Sequence, residues 1–135
     1  MEFVETSRAP KPLGHYSQAI VTNGLVFVSG IGPINPSTGT VPAIEIKSQT
    51  KQVIQNMKAV LEEAGSSLQN VAKVTVYLKD AAGFKEMNGV YADYFGGHKP
   101  ARTTVVTNFV KEDFLVSMDI IAAVFPSPHA ESPTS

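Results

Sequence analysis

Residues 45–80 read EIKSQTKQVIQNMKAVLEEAGSSLQNVAKVTVYLKD, and within them the spacing of apolar residues changes once. Over residues 45–64 the apolar positions recur every three, four or seven residues, which places them on one face of a helix. They are Ile46, Val53, Ile54, Met57, Val60, Leu61 and Ala64. We expect Gly65 to end this helix, and residues 71–80 then alternate as a strand does. A helix followed by a strand predicts a mixed α+β domain.

The segments on either side supply the remaining elements. Residues 18–30 hold two β-rich runs around Asn23-Gly24, a strong signal for a tight hairpin because both residues tolerate positive φ. Residues 31–43 are rich in Pro and Gly and are predicted to form a loop. The other predicted elements are a helix at 81–95 and strands at 101–109 and 115–125. The predicted order is therefore β-β-α-β-α-β-β.

This pattern predicts one domain over residues 1–125, followed by a Pro- and Ser-rich tail, 126–135, that we expect to be disordered. The strands at 71–78 and 119–125 carry apolar residues on both faces, as strands covered on both sides do. Two helices can cover only one face of a sheet. We therefore expect the other face to pack against another subunit, without the strands alone fixing how many subunits assemble.

Composition excludes several classes of function. The 135 residues have a net charge of −1, which gives little general attraction to nucleic acid or to an anionic membrane. The chain lacks cysteine, so a disulfide, a thiol nucleophile and a thiolate metal site are all excluded. No apolar run approaches the roughly 20 residues of a membrane helix. We expect a cytoplasmic protein; no mitochondrial presequence is visible, although that location stays open.

Two glycines and three histidines are candidate site residues. Gly30-x-Gly32 follows a strand but lacks the third glycine and the helix of a dinucleotide-binding motif, which we therefore reject. Gly30 is most simply a turn glycine, and its alternative role is to present a backbone N–H to an anion. The histidines, which are His15, His98 and His129, have no partner at metal-ligand spacing, so no metal site is predicted.

Arg102 is one of only two arginines in the chain and begins a β-branched run. A guanidinium can grip a carboxylate through two parallel hydrogen bonds, and Thr104 would share its face of the strand. These residues would make a pocket for a small acid. Alternatively, Arg102 pairs with a carboxylate such as Asp119 on a neighbouring strand, and the pattern does not decide between the two. Asn88 lies amid an apolar helical pattern, where a half-buried amide must find partners.

Several segments together resemble one known family, the reactive-intermediate deaminases, also called RidA/YjgF and formerly the endoribonuclease L-PSP family. They are APKPLGHYSQAI, NGLVFVSG, NPSTG, QVIQNMKAVLEEAGSSLQNVAKVTVYLKD, FKEMNGVYADYFGGHKPARTTV and IIAAV. The resemblance spans residues 5–124. It implies a chorismate-mutase-like fold, with two helices on one face of a mixed sheet, and a barrel-like homotrimer with ligand clefts between subunits. It also implies hydrolysis of 2-imino acids to 2-keto acids and ammonia without a cofactor.

The resemblance also implies roles for individual residues. Arg102 matches the arginine that holds the substrate carboxylate, and Gly30 matches a glycine whose backbone N–H contacts the ligand. Other positions that match the family's substrate-binding residues are Tyr16, Ser29, Asn88 and Thr104, the last standing where bacterial members often have cysteine. An endoribonuclease activity, suggested by the older name, is disfavoured by the negative charge and the two arginines.

The chain departs from the family's pattern at the cleft. Ser117 occupies the position of the first glutamate in the EIEA segment of many deaminating members, and Asp119 occupies the second. Serine cannot act as an acid near neutral pH, so a slower deaminase, a different imine, or a trimer that only binds 2-keto acids in a regulatory role all stay open. In addition, His15 replaces the usual proline beside Tyr16, and SGIGP replaces the commoner SGQIP, which changes the rim of the cleft.

Overall fold

A computed structural model describes residues 1–125, so the predicted tail at 126–135 lies outside the described residues. Six strands and two α-helices follow one another. In chain order they are β1 (Glu2–Val4), β2 (Ala19–Thr22), β3 (Leu25–Ile31), α1 (Ile46–Glu63), β4 (Val71–Leu78), α2 (Phe84–Phe95), β5 (Ala101–Val106) and β6 (Val116–Ala123). Short 3-10 turns at Leu68–Asn70 and Ala81–Gly83 precede β4 and α2. The α+β class is confirmed.

The predicted order was wrong at its start, because it omitted β1. This strand pairs antiparallel with β2, with Phe3 opposite Ile20. Its three residues are too few to show a period of two, and only Val4 among them is buried. β1 therefore owes its conformation to hydrogen bonding with a strand 15 residues further along the chain, which local sequence does not reveal. The order is β-β-β-α-β-α-β-β.

The six strands form a single mixed sheet in the order β1-β2-β3-β6-β4-β5. Only β4 and β5 are parallel, since α2 connects them and returns the chain to the same end of the sheet. The other pairs are antiparallel. β5 is thus an edge strand, and it carries Arg102.

Both turns that the sequence predicted are present. Asn23 and Gly24 have φ angles of 52° and 75°, the two positive values that a type I′ hairpin turn requires. Gly65 has a φ of 82° and follows the last turn of α1, where the N–H of Ser66 donates to the carbonyl of Leu61 at 2.8 Å. The hairpin and the end of the first helix are therefore confirmed.

Both helices pack on one face of the sheet. That face contributes fully buried side chains from the central strands, among them Val74, Val76 and Met118. The opposite face is open within the chain: Phe27 is 41% exposed there, and Tyr77 is only partly buried. No helix among residues 1–125 is both long enough and apolar enough to cross a membrane.

Candidate functional site

Arg102 lies on β5 and is directed toward α2. Its Cα is in register with that of Val74, a fully buried residue beneath the helices, so the Arg102 side chain leaves the helix-covered face at the edge of the sheet. The guanidinium carbon lies 4.7 Å from the ring centroid of Tyr91 and 5.7 Å from that of Phe84. Both distances are within the range of a cation–π interaction. Two aromatic rings on α2 thus support the cation.

Tyr91 has an unusual environment for a tyrosine. It is 7% exposed, and its hydroxyl is buried without a hydrogen-bond partner among the described residues. Burial raises the pKa of the Tyr91 hydroxyl, an effect that the positive charge of Arg102 opposes. The ring therefore stays neutral at physiological pH. Tyr91 thus belongs to the buried core and also supports the guanidinium of Arg102.

An open cleft of about 310 Å³ adjoins Arg102 and is called the Arg102 cleft below. Its walls include Asn88, Tyr91, Phe95, His98 and Arg102. Asn88 is half-buried, as the sequence suggested. The Nε2 of His98 lies 2.7 Å from the carbonyl oxygen of Val71, which anchors the imidazole at the cleft wall. Thr104 lies on the same face as Arg102, in register with the buried Val76.

The ion pair between Arg102 and Asp119, one of the two interpretations of the sequence, is absent. Asp119 lies on β6, and β4 separates it from β5. Its Oδ2 instead accepts a hydrogen bond of 2.7 Å from the hydroxyl of Tyr77. Among residues 1–125 the one salt bridge is between Arg8 and Glu62, at 3.4 Å. Within that part of the chain, Arg102 keeps its hydrogen-bonding fork free of carboxylates.

Ser29 and Gly30 lie in an irregularity of β3. The register of pairing with β6 shifts between Val28 and Ile31. Because of this shift, Val28 and Ile31 are both buried although they are three positions apart, and Gly30 between them is exposed. The hydroxyl of Ser29 donates to the carbonyl of Ser17 at 2.6 Å and ties the bulge to the preceding loop. A Cβ on Gly30 would meet no atom within 4 Å. The bulge therefore presents bare backbone to the solvent.

Tyr16 and Ser117 lie beside this bulge. The Tyr16 hydroxyl accepts a 3.1 Å hydrogen bond from the N–H of Leu13, and the ring is 48% exposed. A second open cleft, of about 600 Å³, is called the Ser117 cleft below. Its lining includes Leu13, Tyr16, Gly30, Phe109, Phe114 and Ser117. His15 is exposed and does not line either cleft.

The predicted site residues thus fall into two groups, which one chain does not bring together. Ser117 is in register with Tyr77 on the open face, whereas Arg102 is in register with Val74 on the helix-covered face. Residues 74 and 77 are an odd number of positions apart, so their side chains leave opposite faces of β4. Arg102, Thr104 and Asn88 form one group; Tyr16, Ser29, Gly30 and Ser117 form the other.

Two buried amides on α1 were missed by the sequence analysis. Gln49 is fully buried; its Nε2 donates to the carbonyls of Ala43 and Asp113, and its Oε1 accepts from the N–H of Leu115. Asn56, two turns later, donates to the carbonyls of Gly32 and Ile34. Both residues interrupt the apolar spacing of the helix, which is the signal that could have identified them.

The described residues contain no cluster of three or more His, Asp or Glu side chains that could hold a metal ion. The polar groups that line the two clefts are the guanidinium of Arg102, the imidazole of His98, the ammonium groups of Lys99 and Lys111, hydroxyls, an amide and backbone. Such groups can orient an anion and a water molecule.

Comparison with known proteins identifies the family of this chain. Residues 6–124 match the family model described as endoribonuclease L-PSP. The chain belongs to this family, which is the RidA/YjgF family. A RutC family protein of Pyrococcus abyssi is 53% identical over 121 residues, which cover 90% of this chain and 95% of the relative. Reactive Intermediate Deaminase A of Arabidopsis thaliana, a chloroplastic protein, is 39% identical over 123 residues, which cover 91% of this chain and 66% of the relative.

The fold of this RidA/YjgF chain also matches solved structures. A candidate endoribonuclease from Thermotoga maritima superposes with a TM-score of 0.88 at 41% identity, and the match covers 93% of this chain and 99% of that one. The resemblance stated from motifs is therefore confirmed at the level of family and fold.

Proposed function

We propose that this protein hydrolyses reactive 2-imino acids, such as 2-iminopropanoate and 2-iminobutanoate, to 2-keto acids and ammonia. Water adds to the C=N carbon, the resulting carbinolamine loses ammonia, and one water molecule is consumed for each imine. Family membership and the 39% identity to a deaminase support the proposal. Imines hydrolyse slowly without a catalyst, so positioning and modest proton management are sufficient, and the reaction needs no cofactor.

The observation that carries the proposal is the state of Arg102. Its guanidinium rests on Tyr91 and Phe84 and forms no ion pair with any residue from 1 to 125. A partly buried guanidinium loses hydration, and residues 1–125 supply no carboxylate to Arg102 in compensation. A guanidinium that rests on two aromatic rings and has no carboxylate partner can instead bind a small carboxylate from solution through two parallel hydrogen bonds. We assign this carboxylate to the 2-imino acid.

We further propose that the complete site forms between two copies of the chain in a homotrimer. The argument rests on the two groups of residues, since Arg102 and Ser117 leave opposite faces of one sheet. A partner that covers the open face would bring its own Arg102 cleft to the Ser117 cleft of its neighbour. The exposed apolar residues on or beside that face, such as Phe27 and Val105, would then be buried.

In such a site the roles divide between the two copies. Arg102 would hold the carboxylate and Asn88 would donate to or accept from the substrate, while the Gly30 backbone and Tyr16 of the neighbour would contact the imine end. Ser117 can hold a water molecule by accepting and donating hydrogen bonds, but it cannot deliver a proton as an acid. The proton that the departing nitrogen requires would then come from water.

The test generates 2-iminobutanoate with an amino-acid oxidase and traps the remaining imine with semicarbazide. Wild-type protein is expected to suppress semicarbazone formation, and Arg102→Ala to restore it. Arg102→Lys keeps the charge but loses the planar fork, so its suppression should be intermediate. Arg8→Ala is the matched control, because the other arginine is exposed and bound to Glu62. If Arg102→Ala is as active as wild type, the proposed function is wrong.

Sharing of the site between copies has its own test. Arg102→Ala and a Gly30→Leu variant, whose side chain would fill the Ser117 cleft, are each expected to be inactive. Mixed after unfolding and refolding together, they should recover part of the wild-type activity, because some clefts then combine the two intact halves. A mixture that stays inactive, while each variant still forms oligomers with wild type, would contradict a site built from two copies.

The alternative function is a trimer that binds 2-keto acids without catalysis and acts in regulation. The observation that favours it is Ser117, which stands at the cleft without a carboxylate. Titration calorimetry with pyruvate and 2-oxobutanoate, together with the trapping assay, separates the two. Binding without any acceleration of imine loss would support the alternative, and saturable turnover would exclude it. In the first case, Ser117→Glu is expected to create activity.

A further inference from the structure

The ring of Phe114 lies directly on Gly32. A Cβ built on this glycine would be 2.3 Å from Cε2 and 2.6 Å from Cζ of Phe114, closer than carbon atoms can approach. Any residue other than glycine would therefore displace the ring. Phe114 also packs edge-on against Phe109, with ring centroids 6.1 Å apart. The missing side chain at Gly32, in the SGIGP segment, thus makes room for one particular aromatic ring.

Both partners of this contact are held by buried amides of α1. Gln49 binds the carbonyl of Asp113 at 2.8 Å and the N–H of Leu115 at 2.7 Å, the two residues that flank Phe114. Asn56 binds the carbonyl of Gly32 itself at 3.1 Å. Seven residues, about two helical turns, separate the two amides, so they project from the same face of α1. One helix therefore positions the loop that carries Phe114 and the strand end that carries Gly32.

Phe114 is also a wall of the Ser117 cleft. The cleft contains Gly30 and Ser117, and one charged side chain, that of the exposed Lys111, also lines it. The remaining side chains are mostly apolar, from Leu13, Tyr16, Phe109, Val110 and Phe114. The hydrogen bonds of Gln49 fix the backbone on both sides of Phe114, and the open space at Gly32 receives its ring, so the ring borders the cleft in a defined position. The position of Phe114 therefore sets the shape and polarity of the space next to Gly30.

We infer that Phe114, seated on Gly32, selects 2-imino acids with larger uncharged side chains, branched aliphatic or aromatic, over those with two-carbon side chains. The inference rests on the proposed function, which places the imine end of the substrate at Gly30. The substrate's side chain then extends along the cleft toward the two phenylalanines. An apolar side chain gains by leaving water against such a wall, whereas a charged one loses its hydration there.

The experiment compares imines that an amino-acid oxidase forms from leucine and from 2-aminobutanoate. Wild type is expected to have the higher kcat/KM for the leucine-derived imine. Phe114→Ala should lower that kcat/KM about tenfold, as the loss of a few carbon contacts in an apolar pocket does. The value for 2-iminobutanoate should stay within about threefold, because its short side chain ends before the wall. The same ranking is expected for the affinities of the two 2-keto acid products in calorimetry.

Gly32→Ala provides the second variant. In wild type the added methyl must push the ring away, so the leucine-derived imine should again lose about tenfold. In the Phe114→Ala background the same methyl has no ring to displace, and no further loss is expected. Equal losses for both imines, or a changed oligomeric state in Phe114→Ala, would show a structural role and overturn the inference.

Failure of the inference is distinguishable from failure of the proposed function. If both imines are hydrolysed equally well by wild type and by Phe114→Ala, the deaminase stands and the selection by Phe114 is wrong. A second outcome is that no imine is hydrolysed, but the larger 2-keto acid binds more tightly and Phe114→Ala removes this preference. In that case the selection by Phe114 is correct and the proposed catalytic function is wrong. If neither turnover nor binding is observed, both are wrong.

Discussion

The guanidinium carbon of Arg102 lies 4.7 Å from the centroid of the Tyr91 ring, and the hydroxyl of that ring is buried without a hydrogen-bond partner among the described residues. The contact couples the edge strand β5 to α2. A buried hydroxyl without a partner costs stability, whereas the aromatic face of the same ring supports a guanidinium that makes no ion pair among residues 1–125. The pair gives Arg102 a fixed orientation before any ligand arrives.

Tyr91→Phe keeps the ring under Arg102 and removes the unpartnered hydroxyl. We expect the free energy of unfolding to rise by about 1 kcal/mol, because a buried polar group without a partner is eliminated. Turnover should change little, since the aromatic face is retained. Chemical denaturation and the trapping assay measure the two quantities. A loss of stability would instead mean that the hydroxyl is hydrogen-bonded in the assembled protein.

Gly30→Ala should separate folding from ligand binding. A Cβ at this bulge meets no atom within 4 Å and needs no unusual φ, so the thermal midpoint should not change. The methyl would occupy the backbone surface that we assign to the substrate, so kcat/KM should fall by at least tenfold. Gly89→Ala in α2 is the control: it too meets no atom within 4 Å. It should stabilise the helix by about 0.5–1 kcal/mol and leave turnover unchanged.

Gln49→Leu should be strongly destabilising despite its similar volume. The change removes three hydrogen bonds from a fully buried amide and leaves the carbonyls of Ala43 and Asp113 and the N–H of Leu115 without this partner. We expect the free energy of unfolding to fall by about 3 kcal/mol. Gln55→Leu, on the exposed side of α1, loses one bond to Tyr94 and should cost less than about 0.5 kcal/mol. Similar losses in both variants would contradict the role given to Gln49.

The Tyr77–Asp119 contact predicts a dependence of stability on alkaline pH. The hydrogen bond to Asp119 raises the pKa of Tyr77 above 10.0, with a smaller contribution from burial. A raised pKa means that the folded state favours the neutral form of Tyr77. The contribution of this hydroxyl to the free energy of unfolding is therefore fully present below pH 10 and is lost as pH rises through the folded-state pKa. We expect Tyr77→Phe to cost about 0.5 kcal/mol at pH 8, the pair being only partly buried.

At pH values above the folded-state pKa of Tyr77, the difference between wild type and Tyr77→Phe should vanish. Urea titrations at pH 8, 10 and 11.5 would measure this convergence. Asp119→Asn removes the negative charge that disfavours ionisation, so the decline should begin at lower pH in that variant. A difference that stays constant across this range would show that the hydroxyl does not contribute through its proton.

Much of the fold could be predicted because it is encoded locally. The spacing in α1 and the Asn23-Gly24 turn depend on neighbouring residues only, and both were confirmed. β1 could not be predicted, since its conformation depends on pairing with β2. Gln49 and Asn56 were overlooked for a related reason. Their hydrogen-bond partners are backbone groups of segments distant in the chain, so the role of these amides cannot be predicted from the helix alone.

The candidate site shows the same division. Strand parity correctly placed Arg102 with Thr104 on one face, and Ser117 with Asp119 on one face. The alternation of side chains within one strand does not show which strands are neighbours. The sequence therefore left open the pairing of Arg102 with Asp119. The strand order β6-β4-β5 excludes that pairing, because β4 lies between them and binds Asp119 through Tyr77.

The sequence by itself determined the class of fold, the family and the residue types available to the site, because periodicity, turn chemistry and motif identity are properties of short segments. Only the tertiary structure decided where those residues point. Contacts such as Arg102 on Tyr91 and Phe114 on Gly32 join segments that are distant in the chain. They arise from strand order, register and helix packing, which are set by the burial of the whole core and not by any one stretch of residues.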